Sequence, residues 1–408
     1  MLEIIYVLSM AVAFTYKYDG ILVSFWLKYY IALAWIGIWI FFVFRRDGLL
    51  KGASLFYIKQ YCVPIFLIML WTFIVWVINR PEVFDLTYIS RSVSNSLCLL
   101  LAVLSAIAAC NIFKAKAIEL SLYAIFISTA VNIVRALQVY GVPIFAQFLK
   151  SAFIVTDFDV MRPTFRISQM LEVHDATLAC GFFLIYYLFF CPDKTKKKWL
   201  YILGLVFCAY VGFKRVVFVG ILVVFLLLFL LKKRVDKFEK IINIVGIMIG
   251  VLGFVYIIII KIDLLHLIAN YIGLDFSGRL TIYNALRKYY SLWPTFLGTG
   301  YGYINKLFEE RMGLAAHSDM VRMYVELGFI PYLIWLYHYL IRVPKRILKR
   351  YGITVGRLIM AFNVYLFTTY FVGNAMSMFC IQYSFILIPV ALSYRNETRE
   401  NNRNGDMK

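Results

Sequence analysis

The chain has 408 residues, 63% of them hydrophobic and 16% charged, and a formal net charge of +20. A soluble chain of this size carries about half apolar and about a quarter charged residues, so a soluble globular protein is excluded. The Lys and Arg sit in short clusters between long apolar runs, with no zinc-finger, RRM or helix-turn-helix pattern beside them, which sets nucleic acid aside.

In chain order, the apolar runs predict about twelve membrane helices. They fall at 2–16, 24–44, 62–79, 96–112, 119–139, 176–191, 199–213, 216–231, 241–260, 319–341, 354–372 and 376–394. The expected fold is all-α and polytopic. A β-barrel would show weaker, alternating segments of roughly ten residues. The opening MLEIIYVLSMAVAF lacks a basic n-region and a small-residue cleavage site, so it reads as a first span. We expect one membrane domain over 1–394 and a polar, disordered cytoplasmic tail over 395–408.

The basic clusters orient these spans. Segments 45–59, 113–118, 192–198, 232–240, 342–357 and the tail hold most of the Lys and Arg. With twelve spans, all six fall on one face. The positive-inside rule makes that face cytoplasmic, with both termini there. The opposite face carries segments 80–95, 140–175 and 261–318. The last, before span ten, is rich in aromatics and glycine and is expected to be ordered and functional.

The seven cysteines lie in or beside apolar runs and form no CxxC pair, so they read as small buried hydrophobes. No HExxH or dense acidic cluster supports a metal, and no cofactor is expected. The outward acids make no retaining or inverting carboxylate pair.

Cations gather unexpectedly on the outer face. Arg162 and Arg166 lie in MRPTFRISQM, Lys214 and Arg215 in GFKRVVF, and Arg279, Arg287 and Lys288 in GRLTIYNALRKYY. A single interfacial Lys or Arg is ordinarily an anchor. The adjacent pair Lys214–Arg215, on the side that should be poor in cations, points further towards function. Clustered cations at a membrane surface suit a phosphate or a lipid-linked diphosphate, because Arg matches phosphate oxygens bidentately. The glycines of GTGYG (298, 300 and 302) have neither Walker spacing nor a preceding strand. They fit a turn that brings backbone to a ligand, and equally a structural turn.

The segment GLAAHSDMVRMYVELGF spans 313–329. At about 100° per residue, Asp319, Arg322 and Glu326 fall within roughly 60° of one another. Their i,i+3 and i,i+4 spacings permit ion pairs, so mutual neutralisation competes with a ligand role, and Arg322 is able to serve both. His317 projects roughly opposite, at the outer mouth of the expected helix. Solitary histidines are usually structural; this one ends the largest outer segment, which makes it a candidate for chemistry. Tyr283, Tyr301 and Tyr303 are candidates to line a sugar path.

The order of these motifs resembles a known family. A Lys-Arg turn is followed by Gly-Arg and a Tyr- and Trp-containing segment, then by P-x-F-x-G-x-G-x-G, and last by His-Ser-Asp with Arg and V-E-L-G-F. This is similar to the Wzy-type O-antigen and capsular polysaccharide polymerases, in the superfamily that also holds the O-antigen ligases. The most specific parts are 278–304 and 317–329, and the resemblance covers about 160–390. It implies a metal-independent glycosyltransferase of GT-C-like fold in the bacterial cytoplasmic membrane, acting on its outer face. The implied donor is a growing glycan on undecaprenyl diphosphate, and the implied acceptor is another lipid-linked repeat unit. A chain-length regulator protein is an expected partner.

Carried over residue by residue, Arg215 and Arg279 match the family's arginines and His317 its histidine. Lys214 stands where many relatives carry a small polar residue. The expected catalytic set is therefore His317, Arg279 and Arg215, with Lys214, Arg322, Arg162, Arg166 and Tyr301 towards the diphosphate and substrate. A ligase of the same superfamily differs in its acceptor. A lipid-linked oligosaccharide transporter would instead show charges deep in several spans and internal symmetry.

Overall fold

The computed structural model describes residues 1–15, 26–45, 52–79, 86–151, 174–193, 195–212, 214–231, 237–272, 279–312 and 316–405. Among these the secondary structure is helical. A lipid-facing backbone has no water to bond, so each apolar segment satisfies its amides internally. In chain order the helices are α1 Leu2–Phe14, α2 Leu27–Arg45, α3 Ala53–Asn79, α4 Leu86–Phe113, α5 Lys116–Ser151, α6 His174–Ile185, α7 Lys198–Val211 and α8 Arg215–Leu230. There follow α9 Phe238–Lys261, α10 Leu264–Ile272, α11 Arg279–Leu286, α12 Tyr303–Met312, α13 Asp319–Leu327, α14 Phe329–Tyr337, α15 Val343–Val372 and α16 Phe379–Gly405.

Among the described residues, five stretches are long and apolar enough to cross a membrane: Ala53–Asn79, Leu86–Phe113, Lys116–Lys150, Phe238–Lys261 and Phe329–Val372. Shorter apolar helices accompany them, among them α1, α7 and α8. The protein is thus a membrane protein, helical throughout its described secondary structure.

Several boundaries differ from those expected. The single helix expected over 319–341 breaks at Gly328, whose φ is 84°. α5 continues to Ser151 past a break at Gly141 (φ 76°), so part of the segment expected outside the membrane is helical. Pro143 follows that break by two residues and has no amide to give to a helical ladder. The basic RVPKRILKR, expected as a loop, is helix, and α15 carries its own break at Gly352 (φ 82°). α16 runs on to Gly405, through most of the tail expected to be disordered.

The chain divides into two compact units. The first holds residues 1–59, 101–229 and 378–408. Its buried polar groups pair across helices, as groups cut off from water must. Tyr6 of α1 bonds Ser121 of α5 at 2.8 Å and also Tyr383 of α16, and Ser121 meets Tyr383 at 3.0 Å. Asn111 donates to Ser54 at 2.9 Å and accepts from Tyr394 at 2.9 Å.

The second unit holds residues 60–100 and 230–377. Every residue of α13 is buried there. Tyr324 packs edge-on to Tyr290, Phe329 and Tyr332, with centroids 5.7, 6.4 and 5.4 Å away. Across both units all seven cysteines are buried thiols.

Candidate active site

The second unit contains most of the polar residues singled out from the sequence. His317 is half-buried and holds a left-handed backbone, φ 50°, which is uncommon for a side chain with a Cβ. The next residue, Ser318, caps α13 by accepting from the amide of Val321 at 3.5 Å, and its hydroxyl donates to the carbonyl of Tyr370 at 3.3 Å. Asp319 then closes two bonds to the connection after α15. Its amide donates to Gly373 O at 3.1 Å, and its Oδ2 accepts from the amide of Met376 at 2.6 Å. Residues 318 and 319 thereby fix the backbone that carries His317.

Below it, Arg322 Nη2 lies 2.6 Å from Asp319 Oδ1, with both side chains fully buried. Glu326 is equally buried and faces the amides of Gly302 and Asn305, without closing a hydrogen bond to either. The ring of Tyr301 stands 6.0 Å from the guanidinium of Arg322. One cation thus serves a buried neighbourhood of two carboxylates. This is the mutual neutralisation that the helical spacing suggested. Arg322 and Tyr301, expected to face substrate, are 0% and 1% exposed. The guanidinium is already paired and the phenol enclosed, so both belong to the interior.

The glycine turn belongs there too. Gly298, Gly300, Gly302 and Gly328 all have φ between 84° and 92°. A Cβ on Gly298 would stand 2.5 Å from Glu326 O and Gly328 N, and one on Gly328 would stand 2.3 Å from the carbonyl carbon of Leu297. The two segments bond as well as touch. Thr299 N donates to Val325 O, Gly300 N to Glu326 O, and Phe329 N to Phe296 O, each at 2.9 Å. Of the two readings the sequence left open, the structural one holds here: backbone meets protein backbone.

α3 locks this turn from outside. Trp71 Nε1 donates to Leu327 O at 2.8 Å, Trp76 Nε1 to Thr299 O at 2.9 Å and Asn79 Nδ2 to Gly298 O at 3.1 Å. The hydroxyl of Thr72 accepts from the amide of Tyr301 at 3.0 Å. The linear reading overlooked these four residues. Their signal was present: on a helix they fall within about 140° of one another, an arc of hydrogen-bonding groups on an otherwise apolar span.

Arg279 opens α11 and is half-buried. Its charge acts on the hydroxyls of Tyr256 and Tyr283, which bond each other at 2.9 Å. Among the described residues it makes no ion pair. Arg287, its neighbour in the same motif, is committed: it pairs with Asp263 at 3.2 Å and donates to Asn284 at 2.6 Å. Tyr256 of α9 carried no signal within FVYIIII, yet it lies within reach of the Arg279 charge. Its ring packs on Tyr283 (6.2 Å) and on Phe371 (5.6 Å), next to the Tyr370 carbonyl that holds Ser318.

Lys214 and Arg215 lie in the first unit, where the exposed Arg215 opens α8 behind a half-buried Lys214. Arg162 and Arg166 lie outside the described residues. No group of three metal-ligating side chains occurs among the described residues. The chain matches no protein-family model and no curated protein.

Proposed function

We propose that the protein is a polysaccharide polymerase that moves a growing glycan from undecaprenyl diphosphate to the non-reducing end of another lipid-linked repeat unit, without a metal, on the outer face of the bacterial cytoplasmic membrane. The observation that carries this reading is His317. It sits in a sparsely populated backbone conformation, φ 50°, held by Ser318 and Asp319, in the same unit as Arg279. Backbone strain that the surroundings over-determine is a mark of functional positions. In this reading α13 is scaffold for that one imidazole, which precedes it.

The chemistry asks for two groups. The acceptor hydroxyl is a weak nucleophile; its oxygen bonds the anomeric carbon while its proton passes to the imidazole of His317. The bond from that carbon to the diphosphate oxygen breaks, and the electron pair leaves with the lipid diphosphate. Arg279, with no ion pair of its own among the described residues, supplies positive charge to the departing anion. Arg215 and Lys214, in the first unit, are assigned to diphosphate binding by the sequence resemblance alone. The twelve-span topology, the GT-C-like architecture and the outward orientation belong to this proposal; they rest on the apolar runs, the sequence resemblance and the positive-inside pattern respectively.

The test is reconstitution. Purified protein, synthetic undecaprenyl-diphosphate repeat units and a chelator should give a ladder of longer lipid-linked glycans. Transfer to a different surface acceptor with no ladder would identify a ligase. Lipid flipping in vesicles with neither product would overturn the enzyme reading.

A further inference from the structure

The first unit contains an open cleft of about 430 Å³ between the start of α5, residues 191–193 and 195–197, and α16. Lys196, Lys197 and Arg395 stand at its rim, all exposed. None makes an ion pair among the described residues. Lys198 beside them is committed, donating to Cys191 O at 3.1 Å and pairing with Asp193 at 2.6 Å. The rings of Tyr186 and Tyr187 form a wall, their centroids 5.0 Å apart.

One carboxylate, Glu119, faces the same space. It already accepts from the hydroxyl of Tyr123 at 2.6 Å and from that of Tyr201. Three cations against one hydrogen-bonded carboxylate leave the cleft positive. A basic loop that only obeys the positive-inside rule carries charge and encloses nothing. This one borders an open cleft that the rings of Tyr186, Tyr187 and Tyr201 and the carboxylate of Glu119 line. Directly after the rim, Trp199, Leu200 and Leu203 are 71%, 66% and 66% exposed on α7, an apolar surface of the kind that meets acyl chains.

We propose that this cleft binds a phosphate-ester anion, presented by an anionic glycerophospholipid headgroup of the leaflet on this face, by the positive-inside rule the cytoplasmic one. Lys196, Lys197 and Arg395 hold the phosphate, while Glu119 and its tyrosines meet headgroup hydroxyls. The acyl chains follow Trp199, Leu200 and Leu203 into the bilayer.

Binding of phosphatidylglycerol and of phosphatidylcholine to the full chain in detergent, measured by native mass spectrometry, tests this. Phosphatidylglycerol should bind and phosphatidylcholine should not. Replacing Lys196, Lys197 and Arg395 together by Gln should weaken phosphatidylglycerol binding on the order of a hundredfold, at about fivefold per charge. Lys196→Arg with Lys197→Arg should retain binding, which separates charge from folding. Equal binding of phosphatidylglycerol by the Gln variant would overturn the site. Soluble glycerol phosphate binding as tightly as the lipid would overturn the lipid as the source.

Discussion

Arg322 and Asp319 form a fully buried ion pair one helical turn apart, at 2.6 Å, and the other oxygen of Asp319 holds the amide of Met376 at 2.6 Å. The pair therefore joins α13 to the connection before α16. Removing one partner leaves a bare charge in the interior. Arg322→Ala should destabilise the protein by about 3–5 kcal/mol. Thermal unfolding in detergent reads this. Arg322→Met combined with Asp319→Leu should lose less than the sum of the single changes, because no uncompensated partner of the pair remains. An Arg322→Ala protein that melts with the wild type would refute the internal role.

The glycine turn gives a sharper contrast. Gly298→Ala and Gly328→Ala each place a Cβ within 2.5 Å of backbone at a positive φ. Neither neighbour is a side chain able to swing away, so each change should cost at least about 2 kcal/mol. Gly37 of α2 has nothing within 4 Å of its Cβ position. Gly37→Ala should leave stability unchanged or raise it by up to about 1 kcal/mol, as alanine does in a helix. Folded yield and melting temperature of the three variants check both halves.

Arg279 and Arg287 share one motif and divide in role. Arg279→Ala should lower chain growth by about a hundredfold to a thousandfold with little change in melting temperature. Arg287→Ala removes the pair to Asp263 and should move the melting temperature more than the rate. The reverse pattern would exchange the two assignments.

Sidedness has its own test. The native cysteines are buried, so their labelling background is low. Lys214→Cys should react with a membrane-impermeant maleimide on intact cells, and Lys196→Cys only after permeabilisation. Labelling of both from one side would remove the positive-inside topology on which the outward site depends.

Much of this was legible in the linear chain. Each apolar run returned as helix, because the bilayer leaves the backbone few other choices. The i,i+3 spacing of Asp319 and Arg322 foretold their pair. The break at Gly328 was not legible. A lone glycine inside an apolar run reads as tolerated, and what breaks the helix is the distant backbone of Leu297 against it. The same limit hid Tyr256, whose place beside Arg279 depends on a fold-level contact. The spacing of Arg322 left two roles open, an internal ion pair and a ligand contact, and its full burial against Asp319 selects the first.

The most direct measurement is chain growth on lipid-linked repeat units by His317→Ala against wild type, at equal amount and equal melting temperature. The account predicts that the variant folds, stays in the membrane and makes polymer about a hundredfold to ten-thousandfold more slowly, the range that a positioned general base contributes. A His317→Ala protein that builds the wild-type ladder at the wild-type rate would contradict it.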